Sequence, residues 1–329
     1  MRFPFRALGL LLALAPSPSW SQAPSPPGRL VDIGDGQRLH LNCTGAGAPT
    51  VVFEGGAGDF SVIWDLVQSG ASRFTRACSY DRAGYAWSDP GARPRTFAQL
   101  ALELRTLLRN ARIDGPYVLV GQSFGGSLVR GFAARYPGDV SGMVLIDAIH
   151  EDGYVFWGGQ PHHLREDARR RAEPAPRIAV DRAAIRAARD IAPRKPEPLA
   201  APLDRLPPSA QRIWMWAAAQ AIYGMVQPLE MEWSPDEAER TYQGRLAHRA
   251  SLGTIPLIVL ARTSGEFKAG MRISPDSLES LRRAQQADLA GLSSNGSLRF
   301  APRSGHNMHV EDPPFVVQAI RDVVQALRR

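Results

Sequence analysis

Val118-Leu119-Val120-Gly121-Gln122-Ser123-Phe124-Gly125-Gly126 opens as an apolar run, breaks into Gly-Gln-Ser-Phe-Gly, and leads into helix-compatible sequence through Leu128, Phe132 and Tyr136. Strand, tight turn and helix in that order are what a Gly-x-Ser-x-Gly nucleophile elbow requires. Only glycine tolerates the close approaches on either side of such a turn. The turn is expected to force Ser123 into a strained backbone region and to leave its hydroxyl exposed above the sheet. The positive N-terminal end of the following helix then lies beside it. Ser123 is therefore the candidate nucleophile.

The flanking sequence supplies the sheet that such an elbow needs. Arg29 to Ile33 and Arg38 to Cys43 alternate apolar and polar residues around Gly34-Asp35-Gly36, a hairpin signal. Val51-Val52-Phe53, Ala77-Cys78-Ser79-Tyr80, Met143 to Ile146, Pro256 to Leu260 and Leu298 to Ala301 read as further short strands. Helical stretches alternate with them. Val62 to Val67 is a short one, and Thr96 caps a helix with Phe97, Leu100, Leu104, Leu107 and Leu108 on one face. Another starts at Pro275 after its cap Ser274, and a last one opens at Pro313-Pro314. Buried strands alternating with amphipathic helices predict an α/β fold, a mostly parallel sheet covered on both faces.

Residues 151–250 differ. They are rich in Pro, Arg and Ala, lack β-strand runs and contain several helical stretches, one of them opening on the capping box Ser234-Pro235-Asp236-Glu237. Trp157, Trp214, Trp216 and Trp233 lie here. The simplest account is a helical cap inserted between two core strands, with residues 24–150 and 251–329 forming the core domain. Such a lid would cover the carboxyl edge of the sheet, where ligands bind in open α/β folds. Its tryptophans either form its own core or line an apolar substrate pocket.

With 329 residues and 44% hydrophobic content, the chain can bury one large core or two modest ones. Net charge is +7, but the arginines are scattered and no aromatic-interleaved patch appears, so no nucleic-acid partner is implied. Arg169-Arg170-Arg171, the one basic run, stands beside Glu166, Asp167 and Glu173. Near the start, Arg2 and Arg6, the apolar stretch Ala7 to Ala15 and the small-residue site Ser21-Gln22-Ala23 form the pattern of a secretory signal. Residues 1–23 are read as that signal, with a mature chain starting near Pro24. The apolar stretch is too short to span a bilayer as a helix, and no cysteine stands at the cleavage site to carry a lipid. An exported protein, periplasmic or secreted and without a stable membrane anchor, is the expectation. Gly56-Ala57-Gly58 fails as a dinucleotide fingerprint because Ser61 stands where the third glycine is needed. A P-loop is missing and His162-His163 lack partners at ligand spacing, so neither cofactor nor metal is expected.

Five stretches together resemble the α/β-hydrolase family: Val51-Val52-Phe53-Glu54-Gly55-Gly56, Tyr80-Asp81-Arg82-Ala83-Gly84-Tyr85-Ala86-Trp87-Ser88, Gly121-Gln122-Ser123-Phe124-Gly125-Gly126, Val144-Leu145-Ile146-Asp147-Ala148 and Ser304-Gly305-His306-Asn307-Met308. The resemblance extends over nearly the whole mature chain. It implies an eight-stranded sheet in the order 1-2-4-3-5-6-7-8, the second strand antiparallel, with the cap inserted after strand six. The end of strand two then lies near the start of strand four, which implies a Cys43–Cys78 disulfide, permissible in an exported protein. Closing a loop of about 35 residues would contribute roughly 3–4 kcal/mol in the chain-entropy model.

A serine hydroxyl needs a base to take its proton. His306, directly after Gly305 in the loop following the last strand, stands at the family position, with His309 as the local competitor. The base in turn needs a carboxylate to fix its tautomer. After strand Leu257–Leu260, where most relatives carry an Asp, this chain reads Ala261-Arg262-Thr263-Ser264-Gly265-Glu266. Relatives that place the acid after the preceding core strand point to Asp147. Asp147 is the first choice and Glu266 the alternative, with Glu151 and Asp152 behind them. The backbone N–H groups of Phe124 and Gly56 are expected to form the oxyanion hole, Glu54-Gly55-Gly56 standing where relatives often have His-Gly-x. Asp81, Arg82 and Ser88 are expected to organise the loop after strand four.

These readings imply a serine hydrolase acting on the ester, thioester, lactone or similar acyl bond of a small molecule, through Ser123, His306 and Asp147. Amide or peptide cleavage by the same residues is the nearest variant, and related sites support a cofactor-free peroxidation side activity. The alternative from another class is a catalytically silent binding protein with the same fold.

Overall fold

The computed structural model describes residues 23–91, 94–157, 159–166, 182–231, 234–247, 251–263, 267 and 270–329. The rest of the expected signal segment, the basic run Arg169-Arg170-Arg171, Trp233 and the alternative acid Glu266 lie outside the described residues.

The strands are β1 (Arg29–Asp32), β2 (Arg38–Thr44), β3 (Val51–Glu54), β4 (Ala77–Tyr80), β5 (Tyr117–Gln122), β6 (Val140–Ile146), β7 (Tyr154–Trp157), β8 (Gln160–His163), β9 (Leu257–Arg262) and β10 (Gly296–Ala301). Eight of them form one sheet in the order β1-β2-β4-β3-β5-β6-β9-β10. β2 is antiparallel to both its neighbours, and every other pairing is parallel. This is the sheet that the family resemblance implied.

Alternation along the strands explains why both faces are covered. Val51, Phe53, Val118, Val120, Val144, Ile146, Ile258 and Leu260 pack in one apolar layer. Val52, Leu119, Met143, Leu145, Leu257 and Val259, one residue out of step, pack in the other. The first layer is closed by α1 (Asp65–Ala71) and α10 (Pro313–Ala326), the second by α2 (Phe97–Asn110), α3 (Phe124–Arg135) and α8 (Pro275–Ala290). A fully buried Val, Leu or Ile contributes roughly 1.5–3 kcal/mol, whereas β-propensity spans only about 1 kcal/mol. Burial therefore holds these short strands in register.

Helix starts follow local chemistry. Thr96 accepts from Gln99 N at 3.2 Å and Ser274 from Ser277 N at 3.1 Å, as their positions suggested. Glu237 departs from the capping-box reading: its carboxylate accepts from Phe97 N at 3.2 Å, at the start of α2. The first amides of α2 have no intrahelical acceptor, and a carboxylate arriving from another segment satisfies one of them.

Between β6 and β9 lie α4 (Arg182–Ala187), α5 (Pro208–Ala219), α6 (Ala221–Met231) and α7 (Ser234–Ala247). The expectation of no strand in this segment is corrected by β7 and β8, an antiparallel hairpin. Its first strand is the β-favouring run Tyr-Val-Phe-Trp, and Gly159 at the turn adopts φ 73°. A turn of that hand is open to glycine without strain. Trp214 stacks on Phe60 at 4.7 Å and Trp216 packs against Trp87 at 5.5 Å, so both bury against the sheet side of the molecule.

Cys43 and Cys78 face each other across the β2–β4 pair and are joined by a disulfide. Among the described residues no helix is long and apolar enough to cross a membrane. α9 (Met308–Glu311) links the loop after β10 to α10.

Candidate active site

β5 ends at Gln122 and α3 begins at Phe124, leaving Ser123 alone to make the turn. Its backbone sits at φ 52°, ψ −118°, a conformation costly for a residue with a Cβ. Ser123 N donates to Ile146 O at 3.0 Å, which ties the elbow to the adjacent strand end. Glycine is needed at 125 because a Cβ there would stand 2.3 Å from Glu54 O and 2.5 Å from Gly55 O. The N-terminus of α3 is thus pressed against the loop after β3. The Phe124 amide, first in the helix, points from a helix end where negative charge is favoured.

One strand over, Asp147 follows β6 at φ 40° and donates its N–H to Leu260 O at 2.7 Å. Its carboxylate is the meeting point of three groups. His306 Nδ1 lies 2.6 Å from Oδ2, Arg262 Nη1 donates to the same oxygen at 2.6 Å, and Arg282 Nη1 donates to Oδ1 at 3.1 Å. Arg262 Nη1 also lies 3.3 Å from His306 Nδ1. One ring nitrogen cannot both donate to a carboxylate and accept from a guanidinium. The shorter contact favours Nδ1 donating to Asp147, which leaves Nε2, across the ring, as the nitrogen able to accept. Burial pushes the Asp147 carboxyl up, but the His306 hydrogen bond and the two guanidinium groups outweigh it and hold it below its ordinary value. Gln122, next to Ser123, donates from Nε2 to His306 O at 3.2 Å and fixes the histidine loop against the elbow.

The loop after β3 is held from beneath. Arg82 spends all five of its donors: Nη1 on Glu54 Oε1 (2.8 Å) and Gly55 O (2.9 Å), Nη2 on Gly56 O (2.8 Å) and Glu230 Oε2 (3.0 Å), and Nε on Glu230 Oε1 (2.9 Å). Tyr80 donates to the other oxygen of Glu54, and Tyr85 donates to Glu230 at 3.0 Å. Burial raises the Glu54 carboxyl, with Arg82 and Tyr80 only partly offsetting it. Arg82 therefore organises the loop, and through Glu230 of α6 it fastens that helix to the core. The N–H of Gly56, expected to serve an oxyanion, donates to Asp59 Oδ2 at 3.0 Å. Asp59 was not singled out from the sequence; an acid three residues past a glycine reads as a turn residue.

The remaining candidates lie elsewhere. His309 is fully buried against Trp64, and burial pulls its pKa down to about 3, so it stays neutral in the packing. Glu151 pairs with Arg130 at 2.7 Å and with Arg245, and Asp152 pairs with Arg165 at 2.5 Å. Neither reaches His306. Arg262 stands at the end of β9, where most relatives have the acid, and supplies the opposite charge to Asp147 on the neighbouring strand.

Ser123 and His306 open on one cavity of about 500 Å³. Ile149, Val155, Phe156, Phe267, Met271 and Leu278 make its walls largely apolar. A hydrogen bond between the serine hydroxyl and the His306 ring is not formed among the described contacts; such bonds commonly tighten only around substrate.

The model of the alpha/beta hydrolase family matches residues 51–319. An uncharacterized vacuolar membrane protein of Saccharomyces cerevisiae is 31% identical over 140 residues, which cover 37% of this chain and 22% of that protein. The chain thus spans about a fifth of that relative's length. Among solved structures, a thermophilic esterase from Thermogutta terrifontis superposes with a TM-score of 0.59 at 22% identity, over 89% of this chain and 95% of that one. An enol-lactonase from Burkholderia xenovorans LB400 does so with 0.57 at 17% identity, over 90% and 99%.

Proposed function

The chain belongs to the alpha/beta hydrolase family, and from that premise we propose that it is an exported serine hydrolase of esters, lactones or similar acyl bonds. One observation carries the reading. A strained serine at a helix N-terminus and a histidine whose Nδ1 is held by a buried carboxylate line the same apolar cavity. In this account Ser123 Oγ attacks the acyl carbon and its proton passes to His306 Nε2. The imidazolium is stabilised by Asp147, and the oxyanion is met by the Phe124 and Gly56 amides. His306 then returns the proton to the leaving alcohol. Water, activated by the same nitrogen, releases the acid.

An esterase and an enol-lactonase alike in fold are why the reading places acyl-oxygen substrates before acyl-nitrogen ones. An apolar chamber of about 500 Å³ suits a medium-sized hydrocarbon acyl group rather than a peptide. The test is a panel of p-nitrophenyl esters of increasing acyl length beside lactones and anilides. Turnover is expected to rise from acetate to a medium-chain ester, with anilides far slower. Preference for the anilides would move the protein to the amidases.

Export is supported by the N-terminal pattern of residues 1–23 and by the Cys43–Cys78 disulfide, since such bonds persist in oxidising compartments. Protein recovered from its own host is expected to begin near Pro24; a mass retaining Met1 would refute this route.

A further inference from the structure

We propose that Asp59 is a further catalytic residue: its carboxyl shares the oxyanion site with the substrate, opposing the reaction as a carboxylate and assisting it as a hydrogen-bond donor once protonated. The proposal rests on the reading of Ser123 as nucleophile. Its geometry is local and specific. Asp59 Oδ2 takes the N–H of Gly56 at 3.0 Å, the donor that the oxyanion needs. A Cβ on Gly56 would stand 2.5 Å from Gln122 Oε1, 2.8 Å from that oxygen and 3.4 Å from Ser123 Cβ, so the carboxyl, the Gln122 amide oxygen and the nucleophile surround one point. The turn itself is closed by backbone, Asp59 N donating to Gly56 O at 3.1 Å, and an Asn side chain would serve it equally.

The groups facing Asp59 leave it weakly compensated. Arg82, after β4, is committed to Glu54 and Glu230. Tyr223 on α6 donates to Gly58 O at 3.0 Å, and His306 approaches from the loop before α9. Burial therefore pushes the Asp59 carboxyl up to about 6, with Arg82, the Gly56 amide and His306 only partly offsetting it. Above that pH a carboxylate lies where negative charge develops. Below it the neutral carboxyl is a weaker acceptor, so the Gly56 N–H is shared with the oxyanion while the carboxyl O–H donates to it. During attack the Oγ–C bond forms, the carbonyl π pair moves to oxygen and the serine proton goes to His306. The Asp59 proton stays on Asp59 and is hydrogen-bonded to the oxyanion until the carbonyl re-forms.

The test compares wild type, Asp59→Asn and Ser123→Ala in the full chain, with kcat/KM for one medium-chain ester measured from pH 4.5 to 9. The wild type should lose activity as pH rises through about 6. Asp59→Asn, whose amide is a donor at every pH, should lack that limb and exceed wild type about tenfold or more at pH 8. Melting temperature gives a second reading. A carboxyl raised in the folded state binds its proton more tightly there than when unfolded, so its ionisation costs stability as pH climbs from about 4 to 6. Asp59→Asn should melt higher than wild type at pH 8, and the gain should vanish toward pH 4. A pH profile identical to wild type, or a variant that melts lower at pH 8, overturns the role of Asp59 while leaving Ser123 in place. Turnover persisting in Ser123→Ala overturns both.

Discussion

Asp147→Asn is expected to lower kcat by about ten-thousandfold with little change in KM, the loss typical when an amide replaces the carboxylate that fixes a catalytic histidine. The side chains are nearly isosteric, and Asn tolerates the positive φ of 40° at this strand end, so the backbone should hold. What changes is the partner of His306 Nδ1, which lies 2.6 Å from Oδ2. An amide oxygen stabilises an imidazolium poorly, and an amide NH2 would invert the tautomer. A second consequence follows from Arg262, which would lose its counter-ion, and from Arg282, which would keep only Glu279. Breaking a buried pair from one side costs about 3–5 kcal/mol. The variant should melt markedly lower, and kinetics need to be run below that transition. An Asp147→Asn enzyme of normal turnover would return the role of acid to another carboxylate.

Ser123→Ala is expected to remove turnover almost entirely, on the order of 10⁶-fold in kcat for a nucleophile lost from such a relay. What is left should be only the rate that oxyanion donors and binding supply. Stability should not fall. Ala at φ 52° is strained to a similar degree, and the hydroxyl makes no hydrogen bond that burial depends on. Loss of activity with an unchanged melting temperature separates chemistry from folding. Loss of both would point to a structural role for the hydroxyl.

Much of this was legible before any coordinates because the informative features are local. The elbow, the glycines after β3, the caps Thr96 and Ser274 and the apolar alternation of the strands each announce themselves within a few residues. The family resemblance then brought distant stretches together in the right strand order. What escaped was either overshadowed or non-local. The β7–β8 hairpin was hidden in a Pro- and Arg-rich segment, although Tyr-Val-Phe-Trp before two glycines is a hairpin signal. Arg282 lies 135 residues from Asp147, and only the packing of α8 beside β9 brings them together. Arg262 was noticed as the residue standing where an acid was expected; its pairing with Asp147 needed the β6–β9 register. Asp59 reads as a turn residue until the fold sets Ser123 beside it.

The covalent step is the centre of the account, and it can be observed directly. Wild-type protein is incubated with a fluorophosphonate probe, digested, and the adduct mapped by peptide mass spectrometry. The account predicts one phosphonylated residue, Ser123, and no adduct in Ser123→Ala. A wild-type chain that hydrolyses esters but remains unlabelled, or an adduct that persists after Ser123 is replaced, would contradict it.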